Sequence, residues 1–294
     1  MKVVITIPAY NEEKTIAKVI NEIMIVMGKE KYDYKIIVVD DGSKDNTLII
    51  AKKSGALVFS HPRNLGLAET FNTEMQKCLE IGADVIVHTD ADGQYRAGEI
   101  PKLIDEVKKG NDLVLGSRFK GKIEHMPLIK RIGNISFSRV VSQIIRQNII
   151  DTQTGFRAFT KEVAKILITS NYTYTQEQII RAAKSNFRIK EIPVYFAKRG
   201  AKTKSRLMKN PLDYAIKGGI NLIRIYRDYE PLKFFGMMGG SFLTIGLLIG
   251  IWFIYLHFTS GIVGHLGLIT LMLLLFMTGI QILVFGFLAD MYKK

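Results

Sequence analysis

From Phe234 to Ala289 the chain carries no Lys, Arg, Asp or Glu. A water-soluble surface cannot be built from so long an uncharged stretch. Two spans fit inside it, about 234–256 and 266–287. Each holds a little over 20 residues, roughly 30 Å of helix, which is enough to cross the hydrocarbon core of a bilayer. Between them, His257 to His265 includes Gly261 and Gly264 and reads as a short turn. The tail is therefore expected to form a transmembrane hairpin. Before it stand Lys198, Arg199, Lys202, Lys204, Arg206, Lys209, Lys217, Arg224, Arg227 and Lys233, against Asp213, Asp228 and Glu230. Lys293 and Lys294 follow the second span, and the turn has no Lys or Arg. The positive-inside rule then places both termini in the cytoplasm and the turn outside.

The rest of the chain is long enough for one sizeable domain. Its organisation is expected as 1–209 for that domain, 210–231 for a juxtamembrane amphipathic helix and 232–294 for the hairpin. The net charge of +14 suits nucleic acid, anionic lipid or phosphate-bearing ligands, and the hairpin favours the last two. A single cysteine, Cys78, rules out an internal disulfide. Met1 to Pro8 reads as a first strand, too short and too soon interrupted for a signal sequence.

Strand-like and helix-like segments alternate through the first half. Val3–Ile7, Lys35–Asp40, Ala56–Phe59, Val85–Asp90 and Asp112–Gly116 are apolar runs of strand length. Ile16, Val19, Ile20, Ile23 and Met27 recur at helical spacing, with Asn11 expected to cap that helix and Glu12 and Glu13 to lie in its first turn. Asp45 or Asn46 can start the next helix; Leu67–Ile81 and Glu99–Lys109 are further helices. This order implies an α/β domain with a mostly parallel, doubly wound sheet flanked by helices. Helices are also expected over Pro127–Arg146, with Ile132, Ile135, Val140, Ile144 and Ile145 on its apolar side, and over Pro211–Tyr226. Both are amphipathic, and interfacial placement suits the second in particular.

Ligands in such sheets sit beyond the carboxyl ends of the strands. Pro8-Ala9-Tyr10-Asn11-Glu12, Asp40-Asp41-Gly42-Ser43, Asp90-Ala91-Asp92 and Ser117-Arg118 all follow strand ends, so four polar clusters meet on one rim. Asp90 and Asp92, one residue apart before the turn residue Gly93, can share a hard divalent cation with substrate phosphates. The D-x-D spacing is common on surface turns; its weight comes from the other three clusters. His61 and His88 lie in or beside strands and read as structural. No G-x-G-x-x-G, P-loop, H-E-x-x-H, cysteine cluster or G-x-S-x-G elbow occurs at the strand ends, which argues against dinucleotide, P-loop, zinc-hydrolase and serine-hydrolase chemistry.

These motifs together resemble family 2 glycosyltransferases of the GT-A fold. The resemblance runs from Ile7 to about Arg206. It rests on Ile7-Pro8-Ala9-Tyr10-Asn11-Glu12-Glu13, Val39-Asp40-Asp41-Gly42-Ser43, Arg63-Asn64-Leu65-Gly66, Asp90-Ala91-Asp92-Gly93-Gln94, Gly116-Ser117-Arg118-Phe119, Asp151-Thr152-Gln153-Thr154-Gly155-Phe156-Arg157 and Glu191-Ile192-Pro193-Val194 followed by Arg199. Within the family it is most similar to the dolichyl-phosphate mannose synthase and polyprenyl-phosphate glycosyltransferase branch.

The resemblance implies a Rossmann-like GT-A domain that takes a nucleotide sugar, UDP- or GDP-hexose, and uses Mg²⁺ or Mn²⁺. It implies that Pro8, Tyr10, Glu12, Val39 and Asp41 hold the nucleoside. Asp90 would face the ribose or sugar, Ala91 would belong to the donor-binding set, and Asp92 and Gln94 would ligate the metal. Arg118 and Arg131 would receive the acceptor phosphate, and Arg199 and Lys204 the donor diphosphate. Asp90, Asp92 and Arg118 would be the catalytic set. Two motifs depart from the family pattern. Arg199-Gly200-Ala201-Lys202-Thr203-Lys204 has Ala and Thr where Gly and Ser are usual, and Asn134 or Ser136 stands for a Ser that follows the second acceptor arginine.

The implied reaction is inverting transfer of a hexose to polyprenyl or dolichyl phosphate at the membrane. Rival readings are the same fold with a lipid-linked glycan or polysaccharide acceptor, an inactive nucleotide-sugar-binding membrane adaptor, and an RNA-binding protein. The sole tryptophan, Trp252, lies inside a span, so the Gln-x-x-Arg-Trp motif of processive synthases is missing. Intact acids oppose the adaptor. No nucleic-acid motif occurs, so nucleic acid is not an expected partner. The two spans also offer a surface for self-association into a homo-oligomer.

Overall fold

A computed structural model describes residues 1–169, 174–198, 211–261 and 266–292. The chain divides into two compact units, Met1–Gly218 and Gly219–Lys294.

The first unit is built on a seven-stranded sheet of order β3-β2-β1-β4-β6-β5-β7. The strands are β1 (Lys2–Ala9), β2 (Asp33–Asp40), β3 (Leu57–Ser60), β4 (Val85–His88), β5 (Leu113–Ile123), β6 (Arg157–Thr160) and β7 (Ile189–Phe196). β1 pairs in parallel with β2 and β4, and β2 with β3. β6 is the exception to the parallel expectation: it runs antiparallel to both neighbours, β4 and β5. The strand order reverses sequence direction around β1, which puts the ends of β1, β2 and β4 on a common rim.

Helices α1 (Ile16–Met27), α2 (Thr47–Lys53), α3 (Leu67–Ile81) and α4 (Ile100–Lys108) return the chain between strands. Ile16, Val19, Ile20, Ile23 and Met27 of α1 are all buried and pack with Ile5, Ile7 and Val38 of the sheet in one core. The central strands are apolar on both faces, as a sheet covered on both sides requires. α1 starts later than expected. Asn11 is not its cap; the residue stands at φ +54 in the loop, and Thr15 occupies the cap position. Glu12 and Glu13 therefore lie ahead of the helix, where Glu12 O accepts from Thr15 N and Ile16 N.

β5 extends well past Gly116, and its register against β7 shifts between Ser117 and Lys122. Such a bulge re-aims side chains at a strand end. Gly121 lies inside it, where any Cβ would collide with the Val194 carbonyl. α5 (Leu128–Ile145) then runs almost as expected, but its buried side differs. Asn134, Phe137, Ser138, Val141 and Ile144 face inward, whereas Ile132 is 64% exposed together with Leu128 and Ile129. Short α6 (Lys161–Ala164) and α7 (Tyr174–Lys184) complete this part, and α8 (Pro211–Tyr229) follows.

The second unit contains α9 (Pro231–Ser260) and α10 (Leu266–Met291), both long and apolar enough to cross a membrane. Each outruns its uncharged span by several residues, and α9 ends on Gly261 in the left-handed conformation. The pair packs through glycines. A Cβ at Gly239 would stand 2.8 Å from the Gly279 carbonyl, and one at Gly286 would stand 2.8 Å from Phe235 Cβ. Small residues let two backbones approach where lipid gives no hydrophobic drive for association.

Candidate active site

The end of β2 delivers two adjacent acids. Asp40 Oδ2 accepts from Ser60 Oγ at 2.8 Å and from Ser43 N at 3.3 Å. Asp41 turns toward the following loop: its Oδ1 accepts from Leu65 N at 2.8 Å and its Oδ2 from Gly66 N at 2.9 Å. His61 Nδ1 lies 2.8 Å from the same Oδ1, and His61 Nε2 lies 2.9 Å from Thr73 Oγ1. Asp41 is thus the clamp of the Arg63-Asn64-Leu65-Gly66 segment. Beside it, Glu12 N donates to Thr47 Oγ1 and Asn11 N to Ser43 Oγ, which joins the β1 end to the β2 end. Pro8, Tyr10 and Glu12 are half-buried at this corner. Val39 is fully buried within β2, so its side chain does not reach the rim.

The β4 end carries the D-x-D turn. Gly93 takes φ +73, and Asp92 Oδ1 accepts from Gln94 N at 3.0 Å. Gln94 is buried, and its Nε2 donates to the Ala197 carbonyl at 3.0 Å. Ala197 N returns a hydrogen bond to Gln94 O. The turn is therefore tied to the chain just after β7. Ala91 is buried beneath it. Burial and the neighbouring Asp92 carboxylate push the Asp90 pKa up, while His88, Arg118 and Lys130 pull against that rise.

Arg118, on the bulged part of β5, is almost wholly buried. Asp151 Oδ2 accepts from Arg118 N at 2.9 Å and Nε at 2.8 Å, and Oδ1 accepts from Nη2 at 2.7 Å. With its amide oxygen turned toward the guanidinium, Asn134 accepts from Nη2 at 3.2 Å. Burial opposes the charge, but Tyr95, Asp151 and Asp90 more than offset it and raise the Arg118 pKa. Arg131, its expected companion, is exposed on α5, while Lys130 is half-buried and acts on Asp90. Arg199 and Lys204 lie outside the described residues.

Beneath the rim lies a buried polar layer that periodicity conceals. His88 Nε2 is 3.2 Å from Glu74 Oε2, and neither side chain is exposed. His88 Nδ1 is 2.8 Å from the Gly155 carbonyl. Arg157 is fully buried and donates to the Thr154 and Thr175 carbonyls and to Gln178 Oε1. Glu74 occupies the face of α3 that Phe71, Met75 and Cys78 mark as core. Its only sequence signal is that it interrupts this apolar stripe.

Asp92 and Gln94 supply oxygen donors, the set a hard divalent ion prefers. Among the described residues no three His, Cys, Asp or Glu side chains form a ready-made cage. A site with two protein ligands leaves most positions for phosphate oxygens and water, so the residues present fit Mg²⁺ or Mn²⁺ bound together with a diphosphate.

A mostly parallel sheet with a D-x-D turn after β4 and a buried arginine on β5 is the architecture of a GT-A glycosyltransferase. The family model described as glycosyl transferase family 2 matches residues 4–167, and the chain belongs to that family. The UDP-N-acetylglucosamine–dolichyl-phosphate N-acetylglucosaminyltransferase of Methanococcus voltae is 34% identical over 212 residues, covering 64% of this chain and 82% of its own. The dolichol-phosphate mannosyltransferase of Pyrococcus furiosus is 29% identical over 280 residues, covering 92% of this chain and 76% of its own. Among solved structures, glucosyl-3-phosphoglycerate synthase from Mycobacterium tuberculosis, in complex with Mn²⁺, uridine diphosphate and phosphoglyceric acid, shares the fold. Its TM-score is 0.56 at 18% identity, with 75% of this chain and 78% of that one covered.

Proposed function

We propose that this protein is a membrane-attached inverting hexosyltransferase that moves a sugar from a UDP- or GDP-hexose to polyprenyl or dolichyl phosphate. The observation that carries the reading is a D-x-D turn at the end of β4 in the same sheet as a buried arginine, Arg118 of β5, held by Asp151, in a chain whose last two helices can cross a membrane. The dolichyl-phosphate transferases named above support the acceptor class.

Pro8, Tyr10, Glu12 and the Asp41 clamp form the nucleoside corner, with Arg199 and Lys204 for the diphosphate. Val39, buried within β2, would support this corner from below. Asp92 and Gln94 hold Mg²⁺ or Mn²⁺, which when bound neutralises charge on the departing nucleoside diphosphate. Asp90 faces the sugar side and orients the sugar, with Ala91 packed beneath the turn. Arg118 and Arg131 receive the acceptor phosphate. That phosphate is already anionic near pH 7, since its second pKa is about 6, so positioning by cations replaces a general base.

An isoprenoid tail stays in the bilayer, so its head group has to be met at the surface. The exposed Leu128, Ile129 and Ile132 beside Arg131 suit that meeting, with domain 1–209 and both termini cytoplasmic and helix 210–231 at the interface. The test is a panel of radiolabelled UDP- and GDP-hexoses incubated with membranes containing the protein. Label should enter chloroform-extractable lipid, and Asp92→Ala or EDTA should abolish it. Label that remains water-soluble with every donor would refute the proposal.

A further inference from the structure

A guanidinium that receives a phosphate must be held still. Arg118 is held by Asp151 through three hydrogen bonds, and Asp151 is itself completely buried. Asp151 is fixed in turn by a second carboxylate. Glu191 of β7 accepts from Asp151 N at 2.8 Å and from Ile150 N at 3.0 Å. Lys120 Nζ pairs with Glu191 Oε2 at 3.0 Å, from a side chain that is 38% exposed. Lys120, Glu191, Asp151 and Arg118 thus form one line of alternating charge that runs from the surface inward.

Burying two carboxylates and a guanidinium costs several kcal/mol per ion before pairing, and well-packed apolar residues often stabilise a fold as well or better. Packing alone therefore gives little reason for the line. It does make sense of an arginine that must keep one orientation. Asp151 engages Nε and Nη2, and Asn134 accepts from the same Nη2, which fixes the plane of the guanidinium and, among the described residues, leaves Nη1 for an oxyanion. The ring of Phe196, with its centroid 5.3 Å from Arg118 Cζ, walls one side.

We propose that Glu191, acting through Asp151, is a positioning residue for the acceptor-phosphate arginine Arg118. The proposal rests on the reading of Arg118 given above. Glu191 touches neither substrate; it fixes the 150–151 backbone from which the Asp151 carboxylate reaches Arg118. Its loss should therefore weaken lipid-phosphate binding and spare the nucleotide.

Equilibrium binding of a short-chain polyprenyl phosphate and of the nucleotide sugar to the detergent-purified full chain tests this. Glu191→Gln should weaken lipid-phosphate binding about ten-fold and leave nucleotide-sugar binding within about two-fold; Glu191→Gln/Arg118→Ala should bind the lipid phosphate no more weakly than Arg118→Ala alone. Additive losses, or weakening confined to the nucleotide, would overturn the proposal. Should Glu191→Gln fail to fold, Lys120→Gln carries the same test. It should weaken lipid-phosphate binding about three-fold in the wild-type background and not at all beside Arg118→Ala; an equal loss in both backgrounds would overturn the proposal. If Arg118→Ala binds the lipid phosphate as wild type does, the assignment of Arg118 itself fails, and the positioning role with it.

Discussion

Gly155 leaves no room beside Asp90: a Cβ built on it would stand 2.8 Å from Asp90 Oδ1 and 3.2 Å from Oδ2. The glycine is there for space, since its backbone is not in the left-handed region. Its carbonyl meets His88 Nδ1, so it cannot step back without breaking a buried hydrogen bond. Gly155→Ala should push the Asp90 carboxylate aside. A displacement of about 1 Å at a reacting centre can cost on the order of 100-fold in rate. Turnover of the variant beside its thermal unfolding midpoint checks this: kcat should fall steeply while the midpoint drops only slightly.

Glu74 and His88 give stability a pH dependence. Burial lifts the Glu74 pKa. Burial would lower His88, but the charge of the neighbouring Glu74 carboxylate outweighs it and raises the His88 pKa above its ordinary 6.5. Both shifts have the same sign, so the pair holds protons more tightly folded than unfolded. The His88 contribution is complete below about pH 6.5 and is lost as pH rises through the raised folded value. Unfolding midpoints should therefore fall on the alkaline side of neutrality. Glu74→Gln should flatten that slope. Removing one partner of such a pair outright, as in Glu74→Ala, should cost about 3–5 kcal/mol.

His61 braces Asp41 from one side and Thr73 from the other. His61→Ala removes one hydrogen bond to the clamp, worth about 1 kcal/mol, or roughly five-fold in affinity. The loss should appear as weaker nucleotide-sugar binding, with lipid-phosphate binding unchanged. Calorimetric titration with each ligand separates the two.

Helical spacing of buried residues marks α1 and α3, and β1 to β5 show as short apolar runs rather than as alternation, because the central strands are covered on both faces. The β4 run places the D-x-D turn at a strand end. Periodicity misjudged the loop between β1 and α1, where Asn11 adopts a left-handed conformation and bonds across to Ser43 instead of capping. It also could not foresee β6. A four-residue strand reversed between two others has no local signature; it is specified by partners at Val85–His88 and Leu113–Leu115. The same holds for the site. Arg118 and Asp151 were each visible in motifs, but their pairing spans 33 residues. Glu74 stands on the core face of α3, and only the distant His88 explains it.

Whether a lipid phosphate is the acceptor can be read from a single reconstituted reaction. The purified full chain is incubated with synthetic polyprenyl phosphate, Mn²⁺ and each labelled nucleotide sugar in turn, and the product is treated with mild acid. A labelled lipid should form without any saccharide acceptor and release free hexose in acid. Transfer that requires an added glycan, and never labels the polyprenyl phosphate, would contradict a lipid-phosphate acceptor.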